Sequence, residues 1–223
     1  MSSRLVFPDA RTSTDALTFA QRAARLGDGA VRLTAEGGIL SLTSAPLAPQ
    51  TLLDETPTIL GMRFLRVDPE LICDLVVDAA SLAADAEGDA LRLPETAVSA
   101  PWAGISPPRA GWVEDSAIPA ATLAHRAQWG IAAVAEAVPS APGEDVVRSV
   151  RATVWGAADD ELGGLPLGVA FAAFALGFIG GEEAAVVRHN GPWTRVSLVR
   201  GHVLTRTSVR SGLTAVRATG PSA

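Results

Sequence analysis

Apolar positions along the chain recur first at helical and then at strand spacing, and the succession of the two periods predicts the elements. Leu5-Val6-Phe7 reads as a short first strand stopped by Pro8. Leu17, Ala20, Ala24 and Phe19, Ala23, Leu26 then recur at helical spacing. Thr12, Ser13 and Thr14 offer capping hydroxyls and Gly27 a C-terminal stop, which predicts a helix over residues 14–26. Ala30–Ala35 and Ile39–Thr43 flank Glu36-Gly37-Gly38 as a hairpin signal. Thr58–Val67, Leu71–Val77 and Ala90–Leu93 read as three further strands.

A Pro-rich stretch follows at 94–119, with Trp102 and Trp112 inside it. Two Trp residues are too much apolar area for a free hinge, so this connector is expected to pack on the protein. Leu123, Ala127, Ile131, Val134 and Val138 then form one helical stripe, ended by Pro139. Glu144–Trp155 predicts a second helix, although its β-branched content leaves a strand open. Residues 166–179 predict an apolar helix with Phe171, Phe174 and Phe178 on one stripe and Gly168, Ala172 and Ala175 on another. Ala184–His189, Trp193–Val199 and His202–Ser208 close as a β-meander, with Asn190-Gly191 and Arg200-Gly201 at its turns. Leu213–Val216 suggests an edge strand before a disordered tail. The order, helix then sheet, occurs twice.

The fold class expected is α+β: an N-terminal helix-plus-antiparallel-sheet half, then a helical segment closing in a three-stranded β-meander. The boundaries are 1–100 for the first domain, 101–118 for the connector and 119–223 for the remainder. The two halves are expected to share a buried interface with helix 166–179 at its centre.

Composition removes chemistry rather than adding it. Among 223 residues there is no Lys and no Tyr, one Cys and three His. This excludes Schiff-base, phosphate-loop and general-base lysines, phenol chemistry, an intrachain disulfide and multi-Cys zinc sites. A GC-rich coding sequence accounts for the lysine-free, Arg- and Ala-rich composition. The apolar run at the N-terminus is too short for an export signal, which together with the lone Cys predicts a cytoplasmic protein. Leu162–Gly181 has no charged residue, but Pro166 delays any helix until a length of about 20 Å remains, short of a bilayer core of roughly 30 Å. Its flanks, Asp159-Asp160-Glu161 and Glu182-Glu183, are acidic, so no membrane span is expected.

Three stretches, Arg22–Leu33, Pro108–Pro119 and Gly191–Arg206, resemble uncharacterised proteins of high-GC Gram-positive bacteria. That resemblance implies a two-part α+β cytoplasmic protein and carries no functional residue with it.

No G-x-S-x-G, H-E-x-x-H, G-x-G-x-x-G or phosphate-loop pattern occurs. Cys73 lies in an apolar run and reads as a core residue. His125 and Trp129, four apart on a helix, read as a packed surface or interface pair. His189 and His202 lack a third ligand, so neither a metal nor a cofactor is expected. The carboxylate pairs Asp54-Glu55, Glu114-Asp115, Glu144-Asp145 and Asp159-Asp160-Glu161 read as solvated turns, the last three beside helix ends.

Charge layout is the feature that stands out. Residues 1–183 carry 24 acids and 12 Arg, whereas residues 184–223 carry six Arg and no acid. By the strand period Trp193, Arg195 and Ser197 share one face, and His202, Leu204, Arg206 and Ser208 share one face of the next strand. Trp193, Arg195, Arg200, His202 and Arg206 are therefore the candidate binding residues; no catalytic residue is assigned. The Arg side chains have two other placements open: docked on the acidic remainder, or laid with their stems over apolar surface.

The leading functional expectation is a non-catalytic cytoplasmic binding or protein-interaction module with a basic C-terminal sheet face, its partner an acidic protein or an anionic small molecule. The alternative is an enzyme acting on an anionic or acyl small molecule in a pocket between the halves. Arg would orient the anion, and His125 or a carboxylate would move the proton. Nucleic-acid binding ranks lower. In a winged-helix reading the recognition helix would be 166–179, which has no polar side chain to touch a base edge. A structural subunit of a larger assembly is the third reading.

Overall fold

The computed structural model describes residues 4–51 and 54–206. In chain order the elements are β1 (Arg4–Val6), α1 (Ala10–Ala23), β2 (Ala30–Glu36), β3 (Ile39–Leu47), β4 (Thr58–Arg66), β5 (Cys73–Asp78), β6 (Ala83–Ala84) and β7 (Ala90–Arg92). There follow β8 (Val113–Pro119), α2 (Ala120–Ala137), α3 (Glu144–Gly156), β9 (Ala158–Asp159), β10 (Leu165–Pro166), α4 (Gly168–Ala175), β11 (Ala184–Asn190), β12 (Trp193–Leu198) and β13 (Gly201–Arg206). The fold is α+β. Its centre is one eight-stranded antiparallel sheet of order β5-β2-β3-β4-β13-β12-β11-β8.

The C-terminal meander does not stand as a separate sheet. Its last strand, β13, pairs antiparallel with β4, so that His202 faces Met62, Leu204 faces Leu60 and Arg206 faces Thr58. Two meanders, β2-β3-β4 and β11-β12-β13, thus meet edge to edge, and β5 and β8 flank the outer sides. Residues 113–118, placed in the connector by their sequence, form most of β8 because the free edge of β11 is there to be hydrogen-bonded. Glu36 pairs with Ile39 across Gly37-Gly38, both left-handed at φ 59° and 79°, the geometry of a tight hairpin turn.

Helices cover one face of the sheet. α1 starts at Ala10, earlier than its apolar spacing suggests, because the Asp9 carboxylate caps it, accepting from the Thr12 amide at 2.7 Å. Its face of Ala16, Phe19, Ala20 and Ala23 is buried. Phe19 stacks on Phe178 with ring centroids 6.2 Å apart, and the Arg22 guanidinium donates to the Leu176 carbonyl at 2.9 Å. These contacts tie the first half to the chain leaving α4. The α4 helix is shorter than the expected 166–179, because Gly177 adopts φ 73° and ends it. It packs under the β4–β13 seam, with α2 laid across it. α3 is a helix despite its Val residues, its Trp155 buried and stacked on Phe171 at 4.3 Å.

Several smaller expectations also meet the structure. Cys73 is half-buried at the edge strand rather than in the core, and burial raises its thiol pKa. His125 and Trp129 are both exposed on α2, where the Arg126 guanidinium lies over the Trp129 ring at 4.4 Å. The strand expected at 213–216 and the tail lie outside the described residues. Among the described residues no helix is long and apolar enough to cross a membrane.

The seam is packed tightly enough to test. A Cβ at Gly168, the first residue of α4, would lie 2.6 Å from Ile59 Cδ1 and 2.9 Å from the Trp155 carbonyl oxygen. Ala favours a helix over Gly by about 1 kcal/mol, but overpacking a closed core costs about 1–3 kcal/mol. Gly168→Ala should therefore lower stability by up to about 2 kcal/mol, read from the urea midpoint. A more stable variant would show that α4 has room to move.

Candidate functional site

The sheet face opposite the helices carries its own apolar cluster. Leu60 of β4, Leu204 of β13 and Trp193 of β12 pack there with Ala30, Ala45, Ala100 and Trp102. Trp102 and Trp112 bring the connector down onto this face. The Trp102 indole N–H donates to the Asp28 carboxylate at 2.8 Å, and that of Trp112 donates to the Pro108 carbonyl at 3.0 Å. Arg32 completes the attachment. Its guanidinium donates twice to Asp74, each at 2.8 Å, and once to the Ala103 carbonyl at 2.7 Å. Hydrogen bonding to Arg32 holds the Asp74 carboxyl below the usual carboxylate range.

Between the connector and the sheet lies a groove of about 400 Å³. Its floor crosses the β4–β13 seam and includes Thr34, Ser41, Thr43, Met62, Phe64, His202 and Leu204; Trp102, Ile105, Pro107, Pro108 and Trp112 form its connector side. Phe64 and Ile39 are exposed apolar side chains on it. The cavity is mixed in character: Arg195, Arg109, Glu36 and the Arg32–Asp74 pair also line it. A larger hollow of about 850 Å³ lies between α3 and the segments 45–50 and 54–56, with Asp54, Glu144, Asp145, Arg148 and Arg151 among its lining residues.

Of the five candidate residues, the groove brings together Arg195 and His202. The Arg195 guanidinium lies over the Trp112 ring at 4.5 Å, within cation–π range. Its Nε is buried and has no hydrogen-bond partner among the described residues. Burial, and then the charge of Arg188 across the strand pair, both work against its charge. His202 Nδ1 sits 3.0 Å from Ser197 Oγ, and its ring lies 5.6 Å from that of Phe64. Burial first, then Arg195 and Arg188, push its pKa down to about 4. Trp193 is buried beneath the groove in the apolar cluster. Arg200 sits at the exposed β12–β13 turn beside Gly180, away from the groove. Arg206, at the far end of β13 opposite Thr58, is not in the groove either.

The sequence did not single out Met62, Phe64, Trp112 or Arg32 as site residues. One signal was present: Ile59 and Leu60 are both apolar, as in a strand covered on both faces. The carboxylate pairs do structural work. Asp54 accepts from the Gln50 and Thr56 amides; Glu114 pairs with Arg188 at 2.9 Å and Asp115 with His189 at 3.4 Å; Asp159 and Glu161 both hold Arg126. Asp85, Glu87 and Asp89 come together on one turn, where Arg4 is bonded to Asp85 and lies 3.6 Å from Glu87.

Two family models match the chain: a domain of unknown function (DUF8010) over residues 1–104, and a second domain of unknown function (DUF8185) over residues 107–210. No curated protein sequence matches it. Among solved structures it is similar to the DnaN sliding clamp, DNA polymerase III subunit beta, of Bartonella birtlesii bound to griselimycin, with TM-score 0.50 and 13% identity over 98% of this chain and 66% of that one. It is also similar to the DNA polymerase sliding clamp of Caulobacter crescentus (TM-score 0.48, 13% identity, 99% of this chain and 70% of that one). A third is a putative DNA polymerase III beta subunit of Eubacterium rectale (TM-score 0.49, 7% identity, 93% and 65%). The chain thus spans about two thirds of the length of these clamps.

The likeness to the Bartonella clamp shows the fold, and it corrects the functional expectation. Neither a module built on an open basic sheet face nor a small-molecule enzyme working between two halves stands against a clamp-type fold with one continuous sheet. The physical reason lies in the charges. Arg188 is matched by Glu114, Arg195 is tucked under Trp112 and Trp193 is buried, so among the described residues these side chains make no continuous basic surface. His125 stands exposed on α2 and is not among the residues that line the groove.

His202 makes the groove floor sensitive to acid. Its pKa falls from 6.5 to about 4 on folding, so between these values the unfolded chain binds the extra proton and stability falls as pH falls. From pH 7.5 to 5.0 the loss should reach about 2 kcal/mol as an upper bound. Denaturation across that range should show a flatter pH profile for His202→Gln than for the wild type. Identical slopes would place the titration elsewhere.

Proposed function

We propose that this chain is a clamp-type accessory protein of DNA metabolism that holds partner proteins by a short peptide segment laid in the groove beneath the connector. The observation that carries the reading is the groove itself. It crosses the β4–β13 seam, is closed on one side by a Trp-anchored connector, and presents exposed Phe64 and Ile39 beside polar side chains such as Thr34, Ser41 and Thr43. Such a cleft offers apolar anchoring for one or two side chains and polar groups for orientation. The named neighbours are DNA polymerase clamps, one of them bound to griselimycin, which supports a ligand-receiving role for the fold. The helix layer favours a protein partner over DNA, since its exposed residues mix Arg11, Arg25 and Arg148 with Glu136, Glu144 and Asp145.

Selection of phage-displayed random dodecapeptides on the full chain tests this. Enriched peptides should bind in solution and lose at least about tenfold in affinity to Phe64→Ala, the loss expected of a central aromatic anchor. Absence of enrichment, or peptides indifferent to both Phe64→Ala and Trp112→Ala, would overturn the reading.

A further inference from the structure

Three arginines line the groove, and among the described residues two of them, Arg32 and Arg109, have a carboxylate partner. Arg32 has Asp74 at 2.8 Å, Arg109 has Glu36 at 3.4 Å and Arg188 has Glu114 at 2.9 Å. Arg195, which lies among them and lines the groove, has no carboxylate within ion-pair distance among the described residues. Its guanidinium is held against Trp112 at 4.5 Å, and its Nε is buried without a hydrogen-bond partner. A guanidinium presents five donors in a fixed planar fork, and a partly dehydrated one with donors unused favours a planar anion above other partners.

The neighbours do not supply that anion. Trp193 is buried under the groove, His202 is engaged with Ser197 and stays neutral over the physiological range, and the nearest charge across the strand pair is another cation, Arg188. Asp74, the acid that lines the same groove, is taken by both arms of Arg32. Glu36, at the rim, faces Arg109.

Resting on the groove reading above, we infer that the peptide segment bound there is acidic, and that Arg195 receives an Asp or Glu carboxylate of it beside the apolar anchor at Phe64. Trp112 fixes the guanidinium plane from one side, so the carboxylate arrives at the open side of the fork. The apolar floor around Leu204 and Met62 keeps water from competing for the pair. The partner's signature is then an acidic residue close in sequence to a large apolar one. A basic partner segment would meet Arg195 and be repelled.

The test uses the full chain and end-capped, fluorescein-labelled octapeptides with two apolar anchors and a single variable position carrying Asp, Glu, Asn, Gln or Arg. Affinities come from fluorescence anisotropy. The Asp and Glu peptides should bind the wild type about 10- to 100-fold more tightly than their amide counterparts, the range expected of a charge-assisted hydrogen bond in a sheltered site. Arg195→Gln should abolish that preference while leaving the amide peptides' affinity within about threefold; Arg195→Lys should keep part of it, as a point charge without the fork. Unchanged melting temperatures would confirm that both variants are folded. Peptides that lose binding to Phe64→Ala yet show no acidic preference would overturn the inference and leave the groove reading standing. An acidic preference that survives Arg195→Gln would do the same. Failure of every peptide to bind would overturn both.

Discussion

The antiparallel pairing of β4 with β13 is the constraint on which the rest of the structure depends. Strands 140 or more residues apart in sequence share a hydrogen-bonded ladder from His202 opposite Met62 to Arg206 opposite Thr58. Without it each meander would end in an exposed edge of unpaired amides and carbonyls. With it the two become one surface, and each face of that surface then has one continuous job. The inner face buries Ile59 and Val203 against α4. The outer face sets Leu60, Met62 and Leu204 side by side as a floor.

The connector turns that floor into a groove, and it does so through paired apolar and polar contacts. A Trp side chain carries a large area of apolar surface and one N–H that must be satisfied when buried. Trp102 satisfies its N–H on Asp28, and Trp112 on the connector's own Pro108 carbonyl. Arg32 adds a bidentate bond to Asp74 and a third to the Ala103 carbonyl, so one guanidinium joins β2, β5 and the connector. Prolines at 107 and 108 stiffen the same span. The groove is therefore built by side chains that also hold the fold together.

Charge behaves differently in sequence and in space. The last forty residues are wholly without acids, yet β11, β12 and β13, the strands described among them, are not a basic plate, because β8 brings Glu114 and Asp115 alongside β11. The acidic edge strand comes from the middle of the chain, so segment-by-segment arithmetic does not see it. Within the groove, what remains is one guanidinium under Trp112 and a histidine whose protonation is opposed by burial and by two arginines.

The local elements were legible because their causes are local. Helical spacing of Leu123, Ala127 and Val134, the Gly37-Gly38 turn and the alternation along β12 and β13 need no distant partner to be read. The same alternation placed Trp193, Arg195 and His202 on one side of their strands, although it put Trp193 at the surface. Helix ends were less legible: Asp9 rather than a hydroxyl caps α1, and Gly177 ends α4 early. What only the tertiary structure decided is which strand edges meet. The β4–β13 seam, the recruitment of 113–118 into β8, and the gathering of Phe64, Trp112 and Arg195 around one cavity all follow from that choice. Strand pairing is selected by the closure of unsatisfied backbone edges and the burial of apolar faces over the whole molecule. No window of sequence contains both sides of that balance.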